Sequence, residues 1–244
     1  PGGVGNGDWK PIYGGDGFWV VPDPTDPNIA YAESQGGDVN RIDLKTVKSV
    51  GVRPLQTDKE EKLRWNWNTA IVTGKANPKN LYTGAQYLYH SQDQGRNWTR
   101  ISPDLTTNDK KKQEQENSGG LSADNTSAEN HTTIFTIAES PLDANHIWVG
   151  TDDGNLQVTT DGGKTWTNTS ANIVPTGIPA QTWVSSIEPS HFSKDLVYAT
   201  FENHMYGDHK TYAAKSEDGG KTWKAFSSKE FSGFAHKIIE DPVN

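Results

Sequence analysis

Three segments of this 244-residue chain repeat one eight-residue pattern, and no other feature restricts the fold as tightly. They are Ser91-Gln92-Asp93-Gln94-Gly95-Arg96-Asn97-Trp98, Thr159-Thr160-Asp161-Gly162-Gly163-Lys164-Thr165-Trp166 and Ser216-Glu217-Asp218-Gly219-Gly220-Lys221-Thr222-Trp223. Each reads hydroxyl-x-Asp-x-Gly-x-Thr/Asn-Trp, with the tryptophans 68 and 57 residues apart. This is the chemistry of a hairpin turn. Glycine takes the positive φ that a tight turn needs, aspartate accepts hydrogen bonds from turn amides, and the indole plugs the hairpin from below. On this reading Asp93, Gly95, Trp98, Asp161, Gly163, Trp166, Asp218, Gly220 and Trp223 serve the fold.

A second repeat runs in step with the first. Asp26-Pro27-Asn28-Ile29-Ala30-Tyr31, Pro78-Lys79-Asn80-Leu81-Tyr82, Asp143-Ala144-Asn145-His146-Ile147-Trp148 and Lys194-Asp195-Leu196-Val197-Tyr198 each lead a polar turn into a short apolar run with one aromatic. Those aromatics lie 51, 66 and 50 residues apart, and no stretch of a dozen residues shows the 3.6-residue apolar period of a helix. Each unit therefore holds an inner strand, a Pro/Asn turn, two middle strands, the Asp turn and an outer strand. The expected class is all-β, a β-propeller of four-stranded antiparallel blades.

Four blades are expected, over residues 17–66, 67–132, 133–183 and 184–233, with inner strands near Gly17–Asp23, Trp67–Thr73, Thr133–Ser140 and Val184–Pro189. The first lacks an Asp turn, and Gly36-Gly37-Asp38 with Leu44-Lys45-Thr46 do the turning there. Residues 8–13 read as the outer strand of a preceding blade and 234–244 as the inner strand of a following one. Two extra strands do not make a blade, and open sides leave unpaired edges in water. The expectation is a segment of a seven- or eight-bladed ring, its partners being further blades of the same protein or of another chain. The chain opens on Pro1 and holds one methionine, Met205, which fits an internal segment of something longer.

The octads resemble the Asp-box of bacterial neuraminidase repeats, shared by sialidases, some endoglucanases and sortilin-type receptor propellers. A narrower likeness is carried by Asp23-Pro24-Thr25-Asp26-Pro27-Asn28-Ile29-Ala30-Tyr31-Ala32-Glu33-Ser34, Ile101-Ser102-Pro103-Asp104-Leu105-Thr106-Thr107-Asn108-Asp109-Lys110, Ala138-Glu139-Ser140-Pro141-Leu142-Asp143 and Gly150-Thr151-Asp152-Asp153-Gly154. These runs resemble large exported bacterial proteins, the sortilin-like or glycosyl-hydrolase-like Asp-box propellers, over nearly the whole span from Trp9 to Asp241. The resemblance implies a bacterial propeller that is secreted or displayed at the cell surface within a longer parent. It implies no established reaction, because a shared fold does not carry a function.

Composition removes several classes. Acidic residues outnumber Lys and Arg by 31 to 23, a net charge of −8 that repels a phosphate backbone, so nucleic acid is not an expected partner. A mean hydropathy of −0.79 without a long apolar run gives no membrane-spanning helix. The absence of cysteine excludes disulfides and thiolate chemistry.

Function is expected on the rim opposite the Asp turns, built by loops between blades and between middle strands. The longest polar stretch, 106–130, runs into an inner strand and brings Glu129 and His131 toward the channel mouth. Arg64 enters the second blade in the same way and is placed to grip a ligand carboxylate, or else to pair with a neighbouring acid. A two-carboxylate glycosidase would draw on Glu129 with Asp109 or Asp124. A sialidase would need three clustered arginines, which Arg41, Arg53, Arg64, Arg96 and Arg100 do not show. His204, His209 and Asp208 lack a fourth ligand, so no metal is assigned, and no cofactor either. The favoured role is a non-catalytic exported propeller that binds protein or glycan, or acts as a scaffold. The alternative is a glycoside hydrolase with carboxylates on the loop-bearing face.

Overall fold

The structure, a computed structural model, describes residues 3, 5–56, 61–114, 130–226 and 231–243. Among these residues sixteen short strands form four sheets, each antiparallel and each meandering from one strand to its neighbour. The first holds β1 (Trp19–Pro22), β2 (Ile29–Glu33), β3 (Val39–Asp43) and β4 (Lys48–Gly51). The second holds β5 (Ile71–Thr73), β6 (Leu81–Gly84), β7 (Leu88–Ser91) and β8 (Thr99–Arg100). The third comprises β9 (Ile134–Ser140), β10 (Asp143–Thr151), β11 (Leu156–Thr159) and β12 (Thr167–Asn168). The fourth comprises β13 (Trp183–Pro189), β14 (Val197–Glu202), β15 (Tyr212–Ser216) and β16 (Lys224–Ala225). This is an all-β propeller segment.

The core lies between sheets, face against face. Tyr31 and Val39 of the first sheet pack on Ile71 and Leu81 of the second. Tyr82 and Leu88 of the second meet Ile137 and Val149 of the third, and Trp148 and Val158 of the third meet Val184 and Ile187 of the fourth. A middle strand such as β6 or β11, buried at every position, has lost the in/out alternation of a surface sheet because blades cover both its faces.

The octads fold alike. Ser91 Oγ donates to Asp93 Oδ1 at 2.8 Å and accepts the Gly95 N–H at 3.0 Å, while Asp93 takes the Asn97 N–H at 2.9 Å and its side-chain amide at 2.6 Å. Thr159–Asp161–Thr165 and Ser216–Asp218–Thr222 reproduce every one of these bonds. So many donors hold each aspartate's pKa down to about 2. In the first sheet Asp43, accepting the Lys45 and Thr46 amides at 2.9 Å, turns the chain instead. The indoles reach beyond their own hairpins. Trp98 Nε1 donates to Val52 O, just after β4, at 2.5 Å, and Trp166 Nε1 donates to Ile101 O, just after β8, at 3.0 Å. Each pegs its blade to the one before.

Two expectations about strands need correcting. Residues 8–13 and 234–243 contain no strand, because among the described residues no strand forms a ladder with either. The second inner strand starts at Ile71 rather than Trp67: Asn68 N–H bonds to Asn66 Oδ1 at 3.0 Å and Thr69 Oγ1 to Asn66 O at 2.7 Å, and these local bonds curl 66–69 away from extended backbone. The C-terminal segment nevertheless does an inner strand's work. Glu139 of β9 caps the turn of the preceding blade, accepting the Ala76 and Asn77 N–H at 2.8 and 3.0 Å. Glu240 caps the next-but-one turn in the same way, through Ser190 Oγ at 2.9 Å and His191 N at 2.5 Å.

Two outcomes follow from these contacts. Gly163 sits at φ +95°, where a Cβ would stand 2.5 Å from Ile101 O, so Gly163→Ala is expected to lower unfolding free energy by about 1–3 kcal/mol in urea titrations. Glu240→Ala should speed hydrogen exchange at the His191 amide while leaving the Ala76 and Asn77 amides protected.

Candidate functional site

The turns between first and second strands and the octads share one rim: Gly162 N bonds to Asn145 O at 3.0 Å and Gly219 N to Asp195 O at 2.9 Å. The other rim carries the turns between middle strands and the crossings between blades. A cavity of about 300 Å³ opens there, lined among others by Asn66, His131, Phe135, Asp152, Trp183 and Glu202. Deeper along the inner strands a second cavity, about 470 Å³, reaches Lys75, Glu139 and Glu188, with Lys75 Nζ 3.2 Å from Glu188. Asn68, Phe135 and His236 border both.

Asp152 anchors the mouth. Its Oδ1 accepts the Thr133 N–H at 2.9 Å, and its Oδ2 takes Thr133 Oγ1 at 2.5 Å and Asn66 Nδ2 at 3.3 Å. Complete burial pushes its pKa up to about 7, helped by the charge of Asp153 and opposed by those three bonds. His131 Nδ1 lies 3.8 Å from Asp152 Oδ1 but already accepts the Thr132 N–H at 3.1 Å, so this nitrogen has no proton for an ion pair. Burial, and then Lys112, lower the pKa of His131, which keeps the ring neutral. Trp183 meets Phe135 edge to face at 4.8 Å, which fixes an apolar wall beside the polar one. Glu202 Oε2 accepts the His236 Nδ1–H at 2.7 Å, and His204 Nδ1 lies against its other oxygen without a hydrogen bond.

The sequence-derived candidates scatter around this mouth. His131 lines it. Arg64 is buried and spends its guanidinium inside the protein, on Asp104 at 2.6 Å, Thr132 O at 3.1 Å, and Glu61 and Thr106 Oγ1 at 3.3 Å. It pairs with a neighbouring acid, and the free carboxylate clamp is not formed. Asp109 caps its own turn through the Lys111 N–H at 3.0 Å. Glu129 and Asp124 lie outside the described residues. His204 and Asp208 part company, since Asp208 takes the Tyr212 hydroxyl at 2.7 Å. Sequence reasoning passed over Trp183, Glu202 and His236, and took Asp152 only as part of a family-like run and a hairpin turn. A signal for Asp152 and Glu202 was present: each stands four residues after its blade's second-strand aromatic, Trp148 or Tyr198.

A family model described as the BNR/Asp-box repeat matches residues 157–168, from β11 through the second octad to β12. The chain is a β-propeller segment that carries a BNR/Asp-box repeat. A search of curated proteins finds no match. Among solved structures the propeller is similar to a GH74 enzyme of Niastella koreensis, with 21% identity and a TM-score of 0.54 over 88% of this chain and 30% of that one. It is similar to the extracellular domain of a hybrid two-component system of B. thetaiotaomicron, at 12% identity and TM-score 0.52, over 88% and 25%. An auxiliary nutrient binding protein of Bacteroides thetaiotaomicron gives 11% and 0.50, over 86% and 42%. The propeller thus spans less than half of each of these chains. Identities this low establish the fold alone.

The buried acid gives a test of the mouth's electrostatics. With its folded pKa raised, Asp152 binds a proton more tightly folded than unfolded, so its contribution to stability falls as pH rises from about 4 to about 7. Asp152→Asn should remove that slope, gaining about 1–3 kcal/mol on the wild type between pH 4 and pH 7 in denaturant titrations.

Proposed function

We propose that this propeller is a non-catalytic, extracytoplasmic binding or scaffold module of a larger cell-surface or secreted bacterial protein, holding a glycan or protein ligand at its loop-bearing mouth. The observation that carries the reading is the division of labour between rims. The conspicuous acids, Asp93, Asp161 and Asp218, are spent on turn donors, while aromatic walls and convergent polar groups gather at the opposite mouth. Concave sites with apolar walls and a few fixed polar groups are where small ligands and side chains are recognised. The similarity to an extracellular domain and a nutrient binding protein supports the extracytoplasmic and binding parts. No helix among the described residues is long and apolar enough to cross a membrane. The blades beyond this segment, from the same protein or a partner chain, are part of the proposal.

A glycoside hydrolase is the second reading. It is favoured by one observation: Asp152, with a pKa near 7, shares its cavity with a second carboxylate, Glu202. Probing the chain on glycan arrays and peptide libraries, with release of reducing ends followed in parallel, separates the two. A binding module retains a ligand without turnover, and Trp183→Ala or His131→Ala weakens retention about tenfold or more. Turnover abolished by Asp152→Asn and Glu202→Gln establishes the hydrolase instead. Retention indifferent to Trp183 and His131 removes the mouth from consideration.

A further inference from the structure

The position four residues after the second-strand aromatic is a carboxylate or carboxamide in every blade: Gln35, Gln86, Asp152 and Glu202. In three blades it does one job. Gln35 Oε1 accepts the Asp16 N–H at 3.0 Å, Gln86 Oε1 the Arg64 N–H at 2.8 Å, and Asp152 Oδ1 the Thr133 N–H at 2.9 Å. Each anchors the chain ahead of an inner strand. Glu202 has left that job. Among the described residues no backbone amide bonds its side chain, and its two oxygens face His204 Nδ1 and His236 Nδ1 instead. A repeat position released from its structural bond in one blade alone is a position free to serve the ligand.

The exposures order the three groups. The Glu202 side chain is 9% exposed, against 39% for His204 and 62% for His236, so the carboxylate stands behind and the rings stand in front. A carboxylate only accepts, so the His236 ring, bonded to Glu202 Oε2 at 2.7 Å, carries a proton on Nδ1 and leaves Nε2 to a ligand, while His204 stands against the other oxygen. Carboxylates hold ligand-facing imidazoles in this way elsewhere, fixing both tautomer and orientation. We propose that Glu202 is a positioning residue, and that His236, held by it, offers Nε2 to the hydroxyls of a neutral sugar at the mouth; this rests on the mouth being the ligand site.

Chemistry selects that class. A hydroxyl donates and accepts without charge, so it matches an imidazole nitrogen backed by a carboxylate. An anionic ligand would meet the Glu202 carboxylate behind the ring. An apolar side chain would leave His236 Nε2 unpaired, which is costly in a partly dry site. A basic side chain reaches Glu202 only by displacing a histidine. Trp183 and Phe135, set edge to face, give the mouth an apolar wall against which the C–H face of a sugar ring packs.

The test titrates the full chain calorimetrically with neutral oligosaccharides of glucose, xylose, mannose and galactose, with uronic-acid oligosaccharides, with a lysine- and arginine-rich peptide, and with Zn²⁺. A neutral saccharide is expected to bind, and Glu202→Gln to weaken it about tenfold, the loss of one charge-assisted bond. Long-range ¹H–¹⁵N spectra should show His236 protonated on Nδ1, and its tautomers mixed in Glu202→Gln. His236→Gln, on an exposed segment, should weaken binding with the unfolding midpoint unchanged, which guards against misfolding. Unchanged tautomers in Glu202→Gln, or saccharide binding unaffected by it, overturn the proposal. So does preference for the peptide, the uronate or Zn²⁺, although the mouth stands as the ligand site if Trp183→Ala and His131→Ala abolish that binding. If no probe responds to either of those two variants, the proposed function falls as well.

Discussion

A side-chain hydroxyl that donates to a carboxylate two residues on, and accepts an amide four residues on, is the bond on which the rest of this molecule rests. It closes the outer turn of three blades with one geometry and so sets where the following tryptophan stands. In two of them the indole then reaches the carbonyl just beyond the previous blade's last strand. Turn and packing are coupled through one residue. In the fourth blade Trp223 Nε1 bonds to Gly220 O within its own octad, yet its ring still meets Trp148 of the third blade edge to face at 6.2 Å. The aromatic contact persists where the hydrogen bond does not.

Buried carboxylates do the same coupling on the inner side, and their environments differ instructively. Glu139 is almost wholly buried and fully bonded, its second oxygen taking Asn80 Nδ2 and the Tyr82 hydroxyl, both at 2.7 Å. Glu33 is equally buried but holds only the Gly37 and Thr69 amides, at 3.3 and 3.4 Å, with its other oxygen unpartnered. Burial without enough donors pushes its pKa up to about 8. The first junction between blades is therefore made by an acid that stays protonated near neutrality, the second by a fully bonded one.

What could be read along the chain depended on how far each determinant reaches. The octads were legible because hydroxyl, aspartate, glycine and threonine act within eight residues. Tyr31, Tyr82, Trp148 and Tyr198 were legible as a repeat because each follows a similar polar turn within a few residues. Arg64 was ambiguous because its acid, Asp104, stands 40 residues away in sequence. Residues 8–13 and 234–243 have the local pattern of strands, but a strand is a property of a pair, and neither pairs with a strand among the described residues. The mouth was the least legible part: Asp152 is paired with Asn66 across 86 residues and Glu202 with His236 across 34.

That failure has a physical source in the architecture. A propeller builds its structural rim from recurring local turns and its loop-bearing rim from crossings of unequal length, so residues converge there from positions with no common spacing. Periodicity detects the first rim and is blind to the second. What periodicity supplies for the second rim is a background. Once Gln35, Gln86 and Asp152 establish what the position after a second-strand aromatic ordinarily bonds, the blade that abandons that bond stands out, although Glu202 itself is an unremarked acid in a chain with 31 of them. In a repeat protein the bond that one copy has given up says more about function than any residue all copies share.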